Sequence, residues 1–396
     1  MRKSLLFLFS AAFLCFFSLS SCTVENSTLG GSSSSSDPNN GNGGDPQPEL
    51  CLEANGPVAC YGRLKASGNK LIGSKVDSAV QLRGVSLGWS NPSWESGRFF
   101  TAAAVNAMVD GWKAEIIRVP MGCTANSCVN STSALANANN LANNMNNVRT
   151  AIDAAIAKGA YVIIDWHSHN AHNEVAAATN FFREMARDYG SYEGVIFEIY
   201  NEPICSNGAN SCAAAERTTW AEIKNYAEVI IPIIREHSQN LILVGTPSWC
   251  QQVNAVLQAP GPLADDNVAY VLHFYAHTHA ITGFATRMNP VLEADYPVFI
   301  SEYGTTDANG GTGSSYGTHN GSRADEWFDF MDQHKISSAA WNVNDKNEGS
   351  AFFGMQNQNR SFDMTSWTSE SRMSASGQYI YNKLRAYAEH ADWRGH

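Results

Sequence analysis

The chain has 396 residues, of which 44% are hydrophobic, and it carries a formal net charge of −11 at pH 7. No stripe of lysine or arginine runs along the sequence, which argues against a nucleic-acid-binding protein because such proteins neutralise phosphates with cationic side chains. The composition instead suits a large globular core and an uncharged substrate.

The beginning of the chain has the pattern of a signal peptide. Arg2 and Lys3 precede an apolar run, 5–19, that is too short for a membrane-spanning helix. The run ends in Leu19-Ser20-Ser21-Cys22, which resembles a bacterial lipoprotein signal with Cys22 as the lipidated residue. Ordinary secretion with cleavage nearby is the alternative. We therefore expect a signal peptide over 1–21 and an exported protein, lipid-anchored at the cell surface or outer membrane, or secreted.

The segment 22–49 is rich in Ser, Gly, Asn and Pro. Such a composition has too little apolar surface to offset the entropy lost on ordering, so it predicts a disordered, flexible linker. The remaining segment, 50–396, has a length that suits one catalytic domain.

Cysteine spacing predicts disulfides in this segment. Of nine cysteines, Cys15 and Cys22 lie in the leader. Six others form close pairs that, in an exported protein, indicate loop-stapling disulfides: Cys51 with Cys60, Cys123 with Cys128, and Cys205 with Cys212. Cys250 then remains as a buried free thiol. A zinc site is disfavoured because the pairs lack the Cys-x2-Cys spacing.

After a small predicted hairpin at 62–75, which would cap the bottom of a barrel, eight β-favouring runs follow in order, several of them nearly continuous in Val and Ile. They are 80–89, 115–121, 161–167, 195–203, 240–249, 268–276, 297–305 and 337–344. Helical patterns lie at 141–158, 175–189, 213–238, 322–334 and 376–390. Eight strand–helix units predict an α/β fold, a (β/α)8 TIM barrel.

Polar and aromatic residues cluster at the ends of these runs, where a TIM barrel places its active site. The set is Arg118, His167, Asn201, Glu202, His273, Tyr275, Glu302 and Trp341. Glu202 and Glu302 follow different strands, and two carboxylates facing one pocket are the groups that hydrolyse glycosidic bonds.

Six motifs carry a family resemblance. They are Arg118-Val119-Pro120, Asp165-Trp166-His167, Asn201-Glu202-Pro203, His273-Phe274-Tyr275, Glu302-Tyr303-Gly304 and Trp341-Asn342-Val343-Asn344-Asp345-Lys346. With these motifs in order, the chain resembles glycoside hydrolase family 5, the large cellulase family of clan A, and most resembles its bacterial endo-β-1,4-glucanases. One departure is that Gly84-Val85-Ser86-Leu87-Gly88-Trp89 lacks a histidine found in many relatives.

The resemblance implies a retaining mechanism, with Glu302 as nucleophile and Glu202 as acid/base. Arg118 near Glu302 would favour the ionised carboxylate, and the negative charge on Glu302 would raise the pKa of Glu202. Glu198 and Asp165 are expected to be buried partners in a hydrogen-bond network.

The resemblance also implies supporting roles. Asn201 would bind the sugar 2-hydroxyl, Tyr275 would hydrogen-bond the nucleophile, His273 would lie near Glu202, and His167 would contact the sugar at the cleavage point. Each of these is alternatively a hydrogen-bonded rim residue with no chemical role.

Substrate binding is expected from aromatic and polar residues of the loops. Trp341 would form a floor on which a sugar ring stacks. Lys346 and Glu348 resemble positions that bind sugar hydroxyls, although a solvated ion pair is the alternative. Trp89 and Trp249 are further candidates.

No metal or cofactor is expected. Five histidines lie near strand ends, but no carboxylate joins them at the His-Glu-x-x-His spacing; they are His167, His169, His172, His277 and His279.

The sequence therefore predicts an endo-β-1,4-glucanase acting on cellulose and related β-glucans. A β-mannanase or xyloglucanase of the same family is the alternative, and a carbohydrate-binding lipoprotein without catalysis is disfavoured by the complete polar set. The expected partner is a β-1,4-linked polysaccharide, with no nucleic acid, membrane contact only through the lipid, and a monomeric state.

Overall fold

The computed structural model describes residues 55–91, 95–122, 138–312, 317–354 and 362–389. The predicted signal peptide and linker, together with Cys22, Cys51, Cys123 and Cys128, lie outside these ranges, so those expectations stay predictions. Within the described ranges, no helix combines the length and the apolar character needed to cross a membrane.

Eight parallel strands close into a barrel. They are β3 (Arg83–Leu87), β4 (Ile116–Met121), β5 (Tyr161–Trp166), β6 (Val195–Glu198), β7 (Ile242–Val244), β8 (Val268–Tyr275), β9 (Val298–Gly304) and β10 (Ser338–Val343). Each strand pairs with the next in chain order, and β10 pairs with β3 to close the barrel. All eight predicted strands are present, and the (β/α)8 TIM barrel is confirmed.

Helices surround the barrel. The described α-helices are α1 (Pro57–Tyr61), α2 (Ala102–Asn106), α3 (Ala138–Ala157), α4 (Val175–Tyr189), α5 (Trp220–Arg235), α6 (Pro247–Cys250), α7 (Ile281–Glu293), α8 (Gly321–His334) and α9 (Ala375–Ala388). Four of these helices, α1, α2, α6 and α7, were not predicted from the sequence. The last contains both Gly283 and Pro290, residues that weaken a helical pattern.

Two predicted elements are shorter than expected. The fifth strand stops at Val244 instead of 249, because Pro247 begins α6, a single turn in which Ser248, Trp249 and Cys250 have positive φ. The predicted helix 213–238 begins instead at Trp220. Thr219 caps it by accepting a hydrogen bond from the backbone N–H of Glu222, whose side chain accepts one from Thr219 N–H in return.

A hairpin of β1 (Leu64–Ser67) and β2 (Lys70–Gly73) covers the bottom of the barrel, as predicted. The Tyr161 hydroxyl at the start of β5 donates to Gly62 O, and Ala66 N–H donates to Asn267 Oδ1 just before β8. The hairpin therefore seals the end opposite to the strand C-termini.

The two-residue alternation of the strands builds the barrel interior in layers. On β5, Tyr161 and Ile163 belong to an apolar cluster, and Asp165, two residues further, is a fully buried carboxylate beside Arg118 of β4. The interior thus changes from apolar at the bottom to charged at the top, which places polar side chains beneath the cleft.

Candidate active site

A cleft of about 670 Å³ opens at the carboxyl ends of the barrel strands. It is lined by ten of the residues that the sequence singled out: Trp89, His167, Asn201, Glu202, Trp249, Tyr275, Glu302, Trp341, Lys346 and Glu348. Arg118 lies fully buried beneath it, and His273 lines a smaller adjoining pocket together with Glu202 and Glu302.

Glu302, on β9, is held by two donors. Arg118 Nη1 lies 2.9 Å from Glu302 Oε2, and the Tyr275 hydroxyl donates to Glu302 Oε1 at 2.8 Å. Burial raises the pKa of Tyr275 well above its usual range, so the phenol keeps its hydrogen. One carboxylate oxygen of Glu302 is thus paired with a cation and the other with a neutral donor. The two contacts together fix the orientation of the Glu302 carboxylate.

Glu202 follows β6 and has different partners. His273 Nδ1 lies 3.0 Å from Glu202 Oε1, and His169 Nδ1 lies 3.6 Å from Glu202 Oε2. Its side chain is 13% exposed, against 6% for Glu302. The carboxyl group closer to solvent therefore contacts imidazoles rather than a guanidinium.

The expectation that the pKa of Glu202 is raised is wrong for the free protein. Burial raises the pKa of Glu202, but the hydrogen bond with His273 and the nearby His169 outweigh burial and hold it below its usual range. Burial lowers the pKa of His273, and the same hydrogen bond raises it by more. The hydrogen bond thus favours the ionised form of Glu202 and the protonated form of His273.

The two glutamates are close to each other. An oxygen of Glu202, a ring nitrogen of His273 and an oxygen of Glu302 all lie within 4.8 Å of one another. In retaining glycosidases the two catalytic carboxyl groups are about 5–5.5 Å apart, whereas in inverting enzymes they are about 6.5–9.5 Å apart to leave room for a water molecule.

Arg118 organises the charges beneath the cleft. Its guanidinium binds Glu198 through Nε at 2.7 Å, and its Nη2 lies 2.9 Å from Asp165 Oδ2. Burial lowers the pKa of Arg118, but these carboxylates and Glu302 raise it by more, so the guanidinium stays protonated. Nη2 also donates to Asn201 Oδ1 at 2.7 Å, which leaves the Asn201 amide nitrogen as the group available to the cleft.

His167 lies between the charged layer and the aromatic wall. Its Nδ1 is 2.7 Å from Asp165 Oδ2, and its ring stacks on Trp341 at a 5.3 Å centroid distance and meets Trp89 edge-on at 4.3 Å. Burial lowers the pKa of His167 well below its usual range, so the ring is neutral. Burial also raises the pKa of Asp165 to about 6, against the opposing effect of Arg118.

The loop after β10 carries the other predicted substrate contacts. Trp341 is 8% exposed and faces the cleft. Lys346 Nζ pairs with Glu348 Oε2 at 3.0 Å, and the lysine side chain is 57% exposed. The pair is thus available at the rim, with the carboxylate more buried than the ammonium.

Several lining residues were missed by the sequence analysis. They lie outside the barrel strands, where no periodic pattern marks them: Ser96, Gln251, Ala308, Asn309 and Gly310. His169 and His279, considered above only as possible metal ligands, and Asn344, given above only within a family motif, also line the cleft or the adjoining pocket. His169 lies two residues after the motif Asp165-Trp166-His167, so its nearness to the cleft could have been expected. The left-handed turn of α6 sets Gln251 beside Trp249.

The cysteine predictions are confirmed where the structure describes them. Cys205 and Cys212 form a disulfide in the loop after β6, and Cys250 is a buried free thiol. Cys60 is also disulfide-bonded. The stapled loop carries Arg217, whose guanidinium lies 5.5 Å from the ring centroid of Trp249 at the cleft.

Comparison with known proteins assigns the family. The family model described as cellulase (glycosyl hydrolase family 5) matches residues 68–347. The chain belongs to glycosyl hydrolase family 5. It is therefore a glycoside hydrolase of a family whose members retain anomeric configuration.

Family 5 relatives resemble the chain over most of its length. Endoglucanase Z of Dickeya dadantii is 37% identical over 310 residues, which cover 78% of this chain and 66% of the relative. Endoglucanase A of Butyrivibrio fibrisolvens is 35% identical over 84% of this chain and 70% of the relative. The chain thus spans about two thirds of the length of these curated relatives.

A solved family 5 structure superimposes on the barrel. The catalytic domain of Thermobifida fusca endoglucanase Cel5A matches with a TM-score of 0.68 and 30% identity, covering 83% of this chain and 99% of that domain. The barrel is therefore the family 5 fold.

Proposed function

We propose that the chain is an endo-β-1,4-glucanase that hydrolyses internal bonds of cellulose and related β-glucans, with Glu302 as nucleophile and Glu202 as acid/base. The observation that carries the proposal is the pairing of two close but unequal carboxylates. Glu302 and Glu202 oxygens lie within 4.8 Å, and only Glu302 is bound by a guanidinium. The ionised, oriented carboxylate suits nucleophilic attack, and the imidazole-bound one suits proton transfer.

In the first step Glu302 bonds to the anomeric carbon as the bond to the leaving oxygen breaks, and Glu202 gives that oxygen a proton. In the second step Glu202 takes a proton from water, whose oxygen replaces Glu302 at the anomeric carbon. The proton on His273, whose Nδ1 lies 3.0 Å from Glu202, supplies the acid form for the first step.

The supporting residues act on the sugar. The Asn201 amide nitrogen, whose orientation is set by Arg118, donates to the 2-hydroxyl, a contact that strengthens in the transition state. Trp341 stacks on the sugar ring. His167, whose ring stacks on Trp341 and whose Nδ1 is bound by Asp165, contacts the sugar at the cleavage point. Lys346 and Glu348, with Trp89 and Trp249, bind sugar units further along the cleft.

The β-glucan substrate is supported by relatives. The proteins that match over most of this chain at 31–37% identity are named endoglucanases. A Glu-to-Gln variant of the Thermobifida fusca enzyme, 30% identical to this chain, has been solved in complex with cellotetraose.

The test compares the protein starting at Glu49 with its Glu302→Gln variant on carboxymethylcellulose, barley glucan and glucomannan, by counting new reducing ends with and without a strong chelator. Activity on the glucans that resists the chelator and is lost in the variant is expected. Activity confined to glucomannan would replace the substrate with a mannan, and activity retained in Glu302→Gln would refute the nucleophile. The far-ultraviolet dichroism of the variant provides the folding control.

Export and oligomeric state form a separate part of the proposal. The leader directs export, with a lipid on Cys22 or with free secretion, and the catalytic domain acts as a monomer. Labelling of the full chain with radioactive palmitate in a bacterial host, and its loss in Cys22→Ala, tests the lipid. Light scattering of the purified domain tests the monomer, which a dimeric mass would refute.

A further inference from the structure

Arg217 contacts the aromatic wall of the cleft, and no step described above uses it. Its guanidinium lies over the ring of Trp249, 5.5 Å from the ring centroid, and its Nη1 donates to Ser248 Oγ at 3.3 Å. Its Nε is buried and has no hydrogen-bond partner among the described residues. The guanidinium is therefore held mainly by the ring of Trp249 and by the residue before it in the chain.

The backbone of Arg217 is fixed close to the catalytic carboxylates. Cys205 and Arg217 pair as an antiparallel bridge at the base of the loop after β6, and the Cys205–Cys212 disulfide closes the first part of that loop. Cys205 follows Glu202 closely in the chain. The guanidinium is thus anchored to the strand end that carries the candidate acid/base.

The turn that carries Trp249 has an unusual backbone. Ser248, Trp249 and Cys250 have φ angles of 59°, 55° and 58°, a left-handed conformation that residues other than glycine adopt rarely and only where surrounding contacts hold them. Trp249 N–H donates to Pro203 O at 3.1 Å, which fixes the backbone of the turn. This bond does not fix the indole, which is only half-buried, so the guanidinium of Arg217 is the group that restrains the ring.

Trp249 lies on the acid/base side of the cleft. It lines the small adjoining pocket together with Glu202, and Pro203, to which its N–H donates, directly follows Glu202 in the chain. Of the described residues that line the cleft, Lys346 and Glu348 do not reach that pocket. Since the acid/base protonates the leaving oxygen, Trp249 is the aromatic surface for the part of the glucan that leaves.

We propose that Arg217 is a positioning residue for the leaving part of the substrate, because it holds the ring of Trp249 in the orientation in which a sugar packs on the face turned to the cleft. This inference rests on the proposed function, since it takes Glu202 as the acid/base. A side chain that is ordered before binding avoids the conformational entropy that binding would otherwise remove. Arg217 therefore adds affinity for sugars on the leaving side and leaves the other side of the broken bond unaffected.

The first test loads the leaving side alone. Glu302 is first blocked with a 2-deoxy-2-fluorocellobiosyl group, and cellobiose is then added as acceptor. The 4-hydroxyl oxygen of cellobiose bonds to the anomeric carbon, the ester bond to Glu302 breaks, and the hydroxyl proton passes to Glu202. The rate of reactivation should saturate with cellobiose, and the half-saturating concentration should rise about 3- to 30-fold in Arg217→Met.

The second test compares substrates that differ on the leaving side. β-Cellobiosyl fluoride places no sugar there, whereas cellotetraose that is cut in the middle places a cellobiose unit there. Arg217→Met should lower kcat/KM for cellotetraose by about 3- to 30-fold and leave kcat/KM for the fluoride nearly unchanged. Full activity on the fluoride also shows that the variant is folded.

Arg385→Met is the matched control. Arg385, on α9, lies over the ring of Tyr381, 5.3 Å from its centroid, and neither residue lines the cleft. This variant should change neither the half-saturating cellobiose concentration nor either value of kcat/KM. An equal loss on the fluoride and on cellotetraose in Arg217→Met, or an unmoved half-saturating concentration, would overturn the role of Arg217. A wild-type enzyme that the fluorosugar does not label would instead count against the proposed function.

The third test needs no substrate. In protein that contains 5-fluorotryptophan, the ¹⁹F signal of Trp249 is assigned by its loss in Trp249→Phe. Arg217→Met should shift and broaden that signal, because the ring loses the cation above it and exchanges between orientations. The other tryptophan signals should stay in place, as should all of them in Arg385→Met. An unchanged Trp249 signal in Arg217→Met would refute the restraint even if the enzyme were inactive.

Discussion

The phenolic oxygen of Tyr275 lies 2.8 Å from Glu302 Oε1 and donates its hydrogen to that oxygen. The contact joins β8 to β9 at the top of the barrel, and Arg118 binds the other oxygen of the same carboxylate. Glu302 is therefore held in one orientation from two sides, which favours the geometry required for attack on an anomeric carbon.

Removing the phenol should reduce catalysis without changing binding. Tyr275→Phe loses one hydrogen bond to a charged group, worth about 1.5–3 kcal/mol, which corresponds to a decrease in kcat of about 10- to 100-fold with little change in KM. Tyr226→Phe is the matched control, because its buried hydroxyl donates to Ile199 O behind the barrel. Steady-state kinetics on barley glucan measure this decrease. Equal kcat values for Tyr275→Phe and wild type would contradict the role of Tyr275 in orienting Glu302.

Arg118 should be essential for folding as well as for catalysis. Arg118→Met leaves Asp165, Glu198 and Glu302 buried without their cation, and such an uncompensated charge costs about 3–5 kcal/mol. Urea unfolding should show this loss. Arg149→Met removes a surface arginine that pairs with two carboxylates and should cost less than about 1 kcal/mol. Similar losses in both variants would show that the buried charges are not held by Arg118.

The stability of the domain should depend on pH through Asp165. Its pKa is about 6 in the folded protein, against about 3.9 in an unfolded chain. The folded state therefore binds a proton that the unfolded state releases, so this group contributes stability below about pH 4 that is lost as the pH rises to about 6, up to about 3 kcal/mol.

Urea unfolding of wild type and Asp165→Asn between pH 4 and pH 7 measures that contribution. The free energy of unfolding of the wild type should fall relative to the variant as the pH rises. A constant difference over this interval would mean that Asp165 titrates near its usual pKa, and a rise in favour of the wild type would mean that its folded pKa lies below the usual value.

The Cys205–Cys212 disulfide should stabilise the domain. It closes a short loop with a sequence separation of 7, for which chain entropy gives roughly 2 kcal/mol. The double variant Cys205→Ser/Cys212→Ser should unfold at a lower urea concentration with an unchanged dependence on urea. An unchanged midpoint would show that the loop is held by its other contacts, such as the Ser206 N–H bond to Glu216 O.

Sequence reasoning was most accurate for residues on or directly after a strand. Arg118, His273 and Glu302 were correctly predicted to lie at the site, because a parallel barrel brings the strand ends to one rim regardless of the conformation of the loops. Gln251 was not predicted, and His279 was considered only as a possible metal ligand, because their positions depend on loop contacts. His279, for example, is held by the Tyr275 N–H donating to its Nδ1 at 3.0 Å, a contact that no periodic pattern encodes.

The protonation of Glu202 was predicted in the wrong direction for a related reason. The sequence identified the negative neighbour Glu302, which raises the pKa of Glu202, but not how closely His273 contacts it. In the structure, His273 Nδ1 lies 3.0 Å from Glu202. This hydrogen bond lowers the pKa of Glu202, and the net shift is downward. Opposing electrostatic effects depend on distances of a few ångström, which a sequence does not contain.

The most direct test of the account is to trap the glycosyl-enzyme. Incubation with 2,4-dinitrophenyl 2-deoxy-2-fluoro-β-cellobioside, whose fluorine slows the second step, should inactivate the enzyme. Mass spectrometry of a peptic digest should then find one fluorocellobiosyl group on the peptide that carries Glu302. A label on another carboxylate, or hydrolysis with inverted configuration and no label, would contradict Glu302 as the nucleophile of a retaining enzyme.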